Sequence, residues 1–82
     1  MVKVTFTKEF KQTFFKIKDS LLKDRIIKQI KKIKINPRAG KPMRHDRKGT
    51  RELYVKPFRL SYLYSVKKDL VYILELYHKK GQ

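Results

Sequence analysis

The spacing of the apolar residues changes once along this chain, and that change limits the folds open to it. From Lys8 the apolar residues fall three or four apart: Phe10, Phe14, Ile17 and Leu21, then Leu22, Ile26, Ile30 and Ile33, with Ile27 widening the stripe. Such spacing lays one apolar stripe along a helix. From Arg51 the period becomes two. Leu53 and Val55 alternate with Glu52, Tyr54 and Lys56, and after Pro57 the residues Phe58, Leu60, Tyr62 and Tyr64 alternate with Arg59, Ser61 and Ser65. Period two belongs to strands with one buried face. The chain therefore has a helical half and a sheet half, and each must cover the other.

The remaining segments fill in this frame. Val2, Val4 and Phe6 alternate in a short first strand, and Thr7 can cap the helix that follows. Asp19 or Ser20 breaks the helical run, and either side chain can accept from the free amides of a second helix. Asn36-Pro37 stops that helix near residue 35, which leaves a helical hairpin over about 8–35. Residues 36–49, NPRAGKPMRHDRKG, read as a basic loop, and a connection this long in a small domain is more often functional than a plain linker. Lys67-Lys68-Asp69 turns the chain into LVYILELY, residues 70–77, whose nearly continuous apolar character suits a strand covered on much of both faces. The predicted order is β-α-α-β-β-β, one layer of helices on one sheet. With 82 residues there is room for a single domain, 1–82, and a thin core.

Charge narrows the function. Lys and Arg number 23 against 7 Asp and Glu, a formal net charge of +16. Solubility does not need so large a charge, whereas a polyanion is attracted by it and releases counterions on contact. RNA, DNA or an acidic protein are the partners this implies. Cysteine is absent, which excludes disulfides, thiolate metal sites and cysteine nucleophiles. No apolar run has the length of a secretory signal or a membrane span, so a cytoplasmic protein with no membrane partner is expected. His45, Asp46 and His78 have no familiar ligand spacing and no Gly-rich phosphate loop occurs, so neither a metal nor a small-molecule cofactor is expected.

The element order, together with Asn36-Pro37, Gly40-Lys41-Pro42, Gly49, the run Arg51 to Val55, the run Phe58 to Tyr62 and the closing Tyr77-His78-Lys79-Lys80, resembles the RelE/ParE superfamily of toxins over nearly the whole chain. The resemblance implies an α+β fold: an antiparallel sheet with the N-terminal helical hairpin on one face and a basic, concave opposite face. It also implies a type II toxin that cuts mRNA at the ribosome without a metal and is blocked by an acidic antitoxin. The ParE branch of the family poisons DNA gyrase instead. A third reading is an RNA- or ribosome-binding protein of the same fold that does not cut.

Metal-free cleavage makes the ribose 2′-hydroxyl attack its own phosphate, which needs a base, positive donors for the phosphoryl oxygens, and an acid for the leaving 5′-oxygen. Strand alternation places Leu53, Val55, Leu60 and Tyr62 toward the helices, and Glu52, Tyr54, Lys56, Arg59 and Ser61 on the other face. Arg59 matches the family arginine of that strand, and its guanidinium can grip a phosphate with two parallel bonds. Arg51, Lys56, Lys79 and Lys80, with Arg44, Arg47 and Lys48 of the loop, are candidate contacts to the RNA backbone, although parity points Arg51 toward the helices. His78 resembles the histidine acid of YoeB-like toxins, and His45 the loop histidine of the YafQ branch; an imidazole gives or takes protons near neutrality. Glu52 and Tyr54 occupy positions that are basic in the ribosome-dependent RelE branch. Glu52 is a candidate base, but a carboxylate among cations gives up its charge reluctantly, and a structural ion pair to Arg59 is the competing role. Tyr54 is the candidate stacking surface for a base. Two departures count against catalysis: Met43 stands where the YoeB pattern has its glutamate, and the family's C-terminal aromatic does not follow Gln82.

Overall fold

The computed structural model describes residues 2–45 and 48–78. Its elements are β1 (Lys3–Phe6), α1 (Lys8–Lys16), α2 (Ser20–Ile35), β2 (Lys41–Pro42), β3 (Arg51–Val55), β4 (Phe58–Ser65) and β5 (Leu70–His78). The expected order holds, with one short strand added inside the basic loop. The strands form a single sheet in the order β1-β5-β4-β3-β2. Every pairing is antiparallel except that of β1 with β5, so the sheet is mixed rather than purely antiparallel. No hairpin links β1 to β5: both helices and the other three strands lie between them in the chain, and that separation allows the parallel pairing.

Side chains at the helix ends explain the breaks. Thr7 caps α1 by accepting from the Phe10 amide at 3.1 Å. At the second start Asp19 is the cap, its Oδ1 accepting from the amides of Leu21 and Leu22 at 3.0 and 3.2 Å. α1 therefore stops at Lys16, and Leu21 belongs to the next helix, where it is 73% exposed rather than part of the first helix's buried stripe. α1 packs against β5 and α2 against β3. The core between helices and sheet contains Phe10, Ile26, Ile33, Val55, Leu60, Tyr62, Val71, Ile73 and Leu76. Each such aliphatic or aromatic side chain contributes about 1.5–3 kcal/mol when fully withdrawn from water.

An irregularity in β5 sets the chemistry of the outer face. Ser61 pairs with Glu75 but the next residue, Tyr62, pairs with Ile73, so Leu74 is an extra residue in the ladder. Its carbonyl instead accepts from the Thr7 hydroxyl. Such a bulge reverses the alternation beyond it. Val71, Ile73 and Leu76 all reach the core, at spacings of two and then three. The nearly unbroken apolar run of this strand thus reflects a parity change, and its other face is only half-buried.

Not all of the apolar stripe is covered. Phe6, Phe15, Leu21 and Ile27 are 38, 71, 73 and 40% exposed, so Phe6 and Ile27 lie outside the core into which their spacing would have placed them. Phe6, Phe10, Phe14, Phe15, Ile27 and Ile30 line an apolar groove of about 240 Å³ between the two helices. Lys11 stands on this groove, and Lys31 and Lys34 on its continuation. No described helix is long and apolar enough to cross a membrane.

Candidate functional site

The sheet face away from the helices carries two cross-strand rows. In the first, Tyr54 of β3 pairs with Arg59 of β4, which pairs with Tyr77 of β5. In the second, Glu52 pairs with Ser61, which pairs with Glu75. Directly opposed residues on adjacent strands share a face, so these six side chains form one patch.

Glu52 and Arg59 hold its centre. The Glu52 side chain is 3% exposed and receives Arg59 Nη1 on Oε1 at 3.3 Å. Its other oxygen, Oε2, accepts from the Tyr77 hydroxyl. The Arg59 guanidinium carbon stands 5.7 Å from the centre of the Tyr54 ring, a cation–π arrangement. Its side chain keeps 27% exposure, while its Nε–H is buried with no acceptor among the described residues. Arg59 therefore sits between a carboxylate and an exposed ring, with part of its side chain open to solvent. An oxyanion arriving at this face meets a guanidinium already oriented by its neighbours, which is the arrangement that stabilises charge developing on a phosphoryl group.

The other candidates occupy different places. Lys56 is exposed in the turn between β3 and β4, with its carbonyl accepting from Arg25 Nη2 at 3.1 Å. Arg51 pairs with Tyr62 on the helix side of the sheet, where its Nη1 donates to the carbonyls of Arg38 and Gly40 at 3.2 and 2.8 Å. That engagement makes it a clamp on the loop, in line with its parity, rather than an arm reaching for RNA. Arg44, His45 and Lys48 are exposed in the basic loop, and the His45 carbonyl accepts from the Lys48 amide at 3.0 Å. His45 itself has a left-handed backbone, φ 59°. Arg47, Lys79 and Lys80 lie outside the described residues. The basic outer face is thus corrected at its centre, where the described patch holds one arginine with two carboxylates.

His78 is exposed and pairs with Phe58, the two rings 4.6 Å apart, while Tyr77 takes the place across from Arg59. The bulge causes this. Counting back from the Ser65–Leu70 pair without an extra residue sets Arg59 opposite Leu76 and gives His78 the parity of Arg59. The skipped Leu74 exchanges the two sets, so sequence alternation misses Tyr77 and Glu75. The signal that pointed to the exchange was the unbroken apolar run itself, because a regular half-buried strand alternates.

Beneath the patch, Tyr62 anchors the basic loop from inside the core. Its hydroxyl donates to the Pro37 carbonyl at 2.8 Å and accepts from the Gly40 amide at 2.7 Å. Burial raises the Tyr62 phenol above its ordinary value of 10.0, an effect opposed by the Gly40 hydrogen bond and by the Arg51 charge. Gly40 has no space for a side chain: a Cβ there lies 2.7 Å from both Cε1 and the hydroxyl of Tyr62.

Residues 4–82 match the family described as the ParE toxin of the type II toxin–antitoxin system parDE. A comparison with curated protein sequences found no match. Among solved structures, the chain resembles a YoeB/ParE toxin from Agrobacterium tumefaciens at TM-score 0.83 and 18% identity, covering 94% of this chain and 98% of that one. It resembles a chain of the intact E. coli RelBE toxin–antitoxin complex at TM-score 0.82 and 13% identity, covering 98% and 99%. A conserved hypothetical protein from Helicobacter pylori is 30% identical at TM-score 0.67, with 96% of each chain covered.

Proposed function

This chain belongs to the ParE toxin family of type II toxin–antitoxin systems, and from that premise we propose that it is a metal-independent endoribonuclease cutting mRNA at the ribosome. The observation that carries the reading is the placement of Arg59 on the outer sheet face, partly exposed and held between Glu52 and Tyr54. In this scheme Arg59 donates to the phosphoryl oxygens as charge builds on them, and Tyr54 stacks on a neighbouring base. Lys56, Arg44 and Lys48, with Arg47, Lys79 and Lys80, draw in the backbone through the +16 charge. Glu52 is nearly sealed from solvent and holds Arg59 rather than taking the 2′-hydroxyl proton. The bulge pairs His78 with Phe58, off the Arg59 row, so of the two histidines the scheme leaves proton transfer to His45, exposed in the basic loop. The test is message incubated with purified protein, with and without ribosomes, and mapping of the ends. Cuts within codons that disappear in Arg59→Ala support the scheme; intact RNA under both conditions ends it.

The family match favours a second reading, in which the fold inhibits DNA gyrase and leaves RNA whole. A supercoiling assay separates the two, since gyrase working normally beside the protein removes this alternative.

An antitoxin is the proposed protein partner, docked in the groove between α1 and α2. The exposed Phe6, Phe15 and Ile27 with Lys11, Lys31 and Lys34 fit an amphipathic helix that has one apolar face and acidic flanks. Phe15→Asp, by charging the apolar floor, should weaken capture of such an acidic helix; unchanged capture would place the partner elsewhere.

A further inference from the structure

Arg59 can act on a phosphate only if its guanidinium is aimed, and the residue that aims it is two contacts away. Arg59 touches Glu52 Oε1, and Glu52 Oε2 receives the Tyr77 hydroxyl. These three side chains come from three adjacent strands, β4, β3 and β5. A carboxylate bonded from two strands at once cannot turn about its own axis without losing one donor. The Tyr77 bond therefore fixes which oxygen faces Arg59 and at what angle. Tyr54 closes the other side of the guanidinium with its ring. The bulge at Leu74 is what makes the chain of contacts possible, because it brings Tyr77 opposite Arg59.

We propose that Tyr77 is a positioning residue for Arg59, acting through Glu52. This rests on the reading of Arg59 as the phosphate ligand, but the positioning itself is a property of the free protein. Tyr77 adds no charge, so its contribution is orientation, distinct from the electrostatic attraction that the lysines provide. Tyr77→Phe removes the single hydroxyl and keeps the ring, which leaves the packing of β5 in place.

The experiment uses the full-length protein labelled with ¹⁵N and reads the arginine Nε–Hε signals, with Arg59→Lys to assign the Arg59 resonance. Binding is followed in parallel with a 2′-O-methyl RNA hexamer, which cannot be cut. In Tyr77→Phe the backbone amide pattern should persist, the distinct Arg59 signal should collapse toward the averaged position of mobile arginines, and hexamer affinity should fall roughly tenfold. The salt dependence of binding should stay as in the wild type, since the number of charges is the same. An Arg59 signal that is equally distinct in Tyr77→Phe overturns the proposal, whatever the hexamer does. If that signal collapses while Arg59→Ala binds the hexamer as tightly as wild type, Tyr77 positions Arg59 as proposed and the RNA reading of the face is what fails.

Discussion

Arg51 and Arg59 are arginines on adjacent strands, one near the start of β3 and one near the start of β4, and they have opposite surroundings. Arg51 is on the helix side, where backbone carbonyls of Arg38 and Gly40 take its Nη1 donors. Arg59 is on the outer side, where a carboxylate takes one donor and a tyrosine ring covers one face. The same side chain is a loop clamp in one place and a candidate anion ligand in the other. Strand parity makes the difference: an arginine turned inward must satisfy its fork with groups of the fold, while one turned outward can leave part of it for a ligand.

An arginine-to-lysine exchange at each position tests that contrast most strongly. Lysine keeps the charge and loses the planar fork. Arg59→Lys should leave thermal unfolding nearly unchanged and lower the rate of RNA cleavage by about a hundredfold, the scale of losing one preorganised oxyanion donor. Arg51→Lys should do the reverse. Both bonds leave the one Nη1 nitrogen, and the shorter lysine stem ends before that position, so denaturant titration should show a loss of about 1–2 kcal/mol, with cleavage by the folded fraction close to wild type. Equal losses of activity without loss of stability at both sites would erase the distinction between clamp and ligand.

Gly40 sharpens the clamp side of the comparison. Gly40→Ala forces a methyl group against Tyr62, which is fully buried, and within 3.0 Å of the Glu52 carbonyl. Overpacking of this kind costs about 1–3 kcal/mol, and it also threatens the Tyr62 and Arg51 bonds to Gly40. A smaller effect, with a pH signature, comes from Tyr62 itself. Its phenol is raised by burial, so the folded state holds the proton more tightly than the unfolded chain does. The stabilisation is complete below the unfolded value near 10.0 and is lost as pH rises from there through the higher folded value. Absorbance of the tyrosinate should show one phenol ionising above 10.0 that is missing in Tyr62→Phe, and the same variant should flatten the alkaline loss of stability. Removal of the hydroxyl costs about 1 kcal/mol at neutral pH.

Period and capping made most of the fold legible in the sequence. The hairpin, the helix stops and the pairing of β3 with β4 follow from local patterns that tertiary structure left intact. The parallel place of β1 was not legible, because alternation reports which face is buried and not which neighbour a strand takes. At the site, Arg59 on the outer face and its ion pair with Glu52 could both be read from parity, since β3 and β4 pair without irregularity. Tyr77 could not, because a bulge is one residue of register and leaves no composition signal beyond the missing alternation at Leu74. The exposure of Leu21 and Ile27 also escaped, since a helical stripe looks the same whether its own fold or another chain covers it.

Tyr54 supplies the smallest and most discriminating test, because it lies on the open side of Arg59 and contributes little to the fold. Its side chain is 59% exposed, so Tyr54→Ala should change unfolding by less than about 0.5 kcal/mol. Stacking on one base is worth about 1–3 kcal/mol, and an exposed ring shared with a guanidinium belongs at the low end of that range. Tyr54→Ala should therefore weaken single-stranded RNA about fivefold, and Tyr54→Phe, which keeps the ring, should not. The chain has no tryptophan, so tyrosine emission can follow the titration directly. If both variants bind as tightly as wild type, the ring meets no base, and bases are read by another surface. If both variants bind less tightly by the same factor, the hydroxyl rather than the ring meets the RNA. The first result would shift the outer arginine's role toward that of its inward counterpart, which is braced by groups of the protein alone, whereas the second keeps RNA on its face.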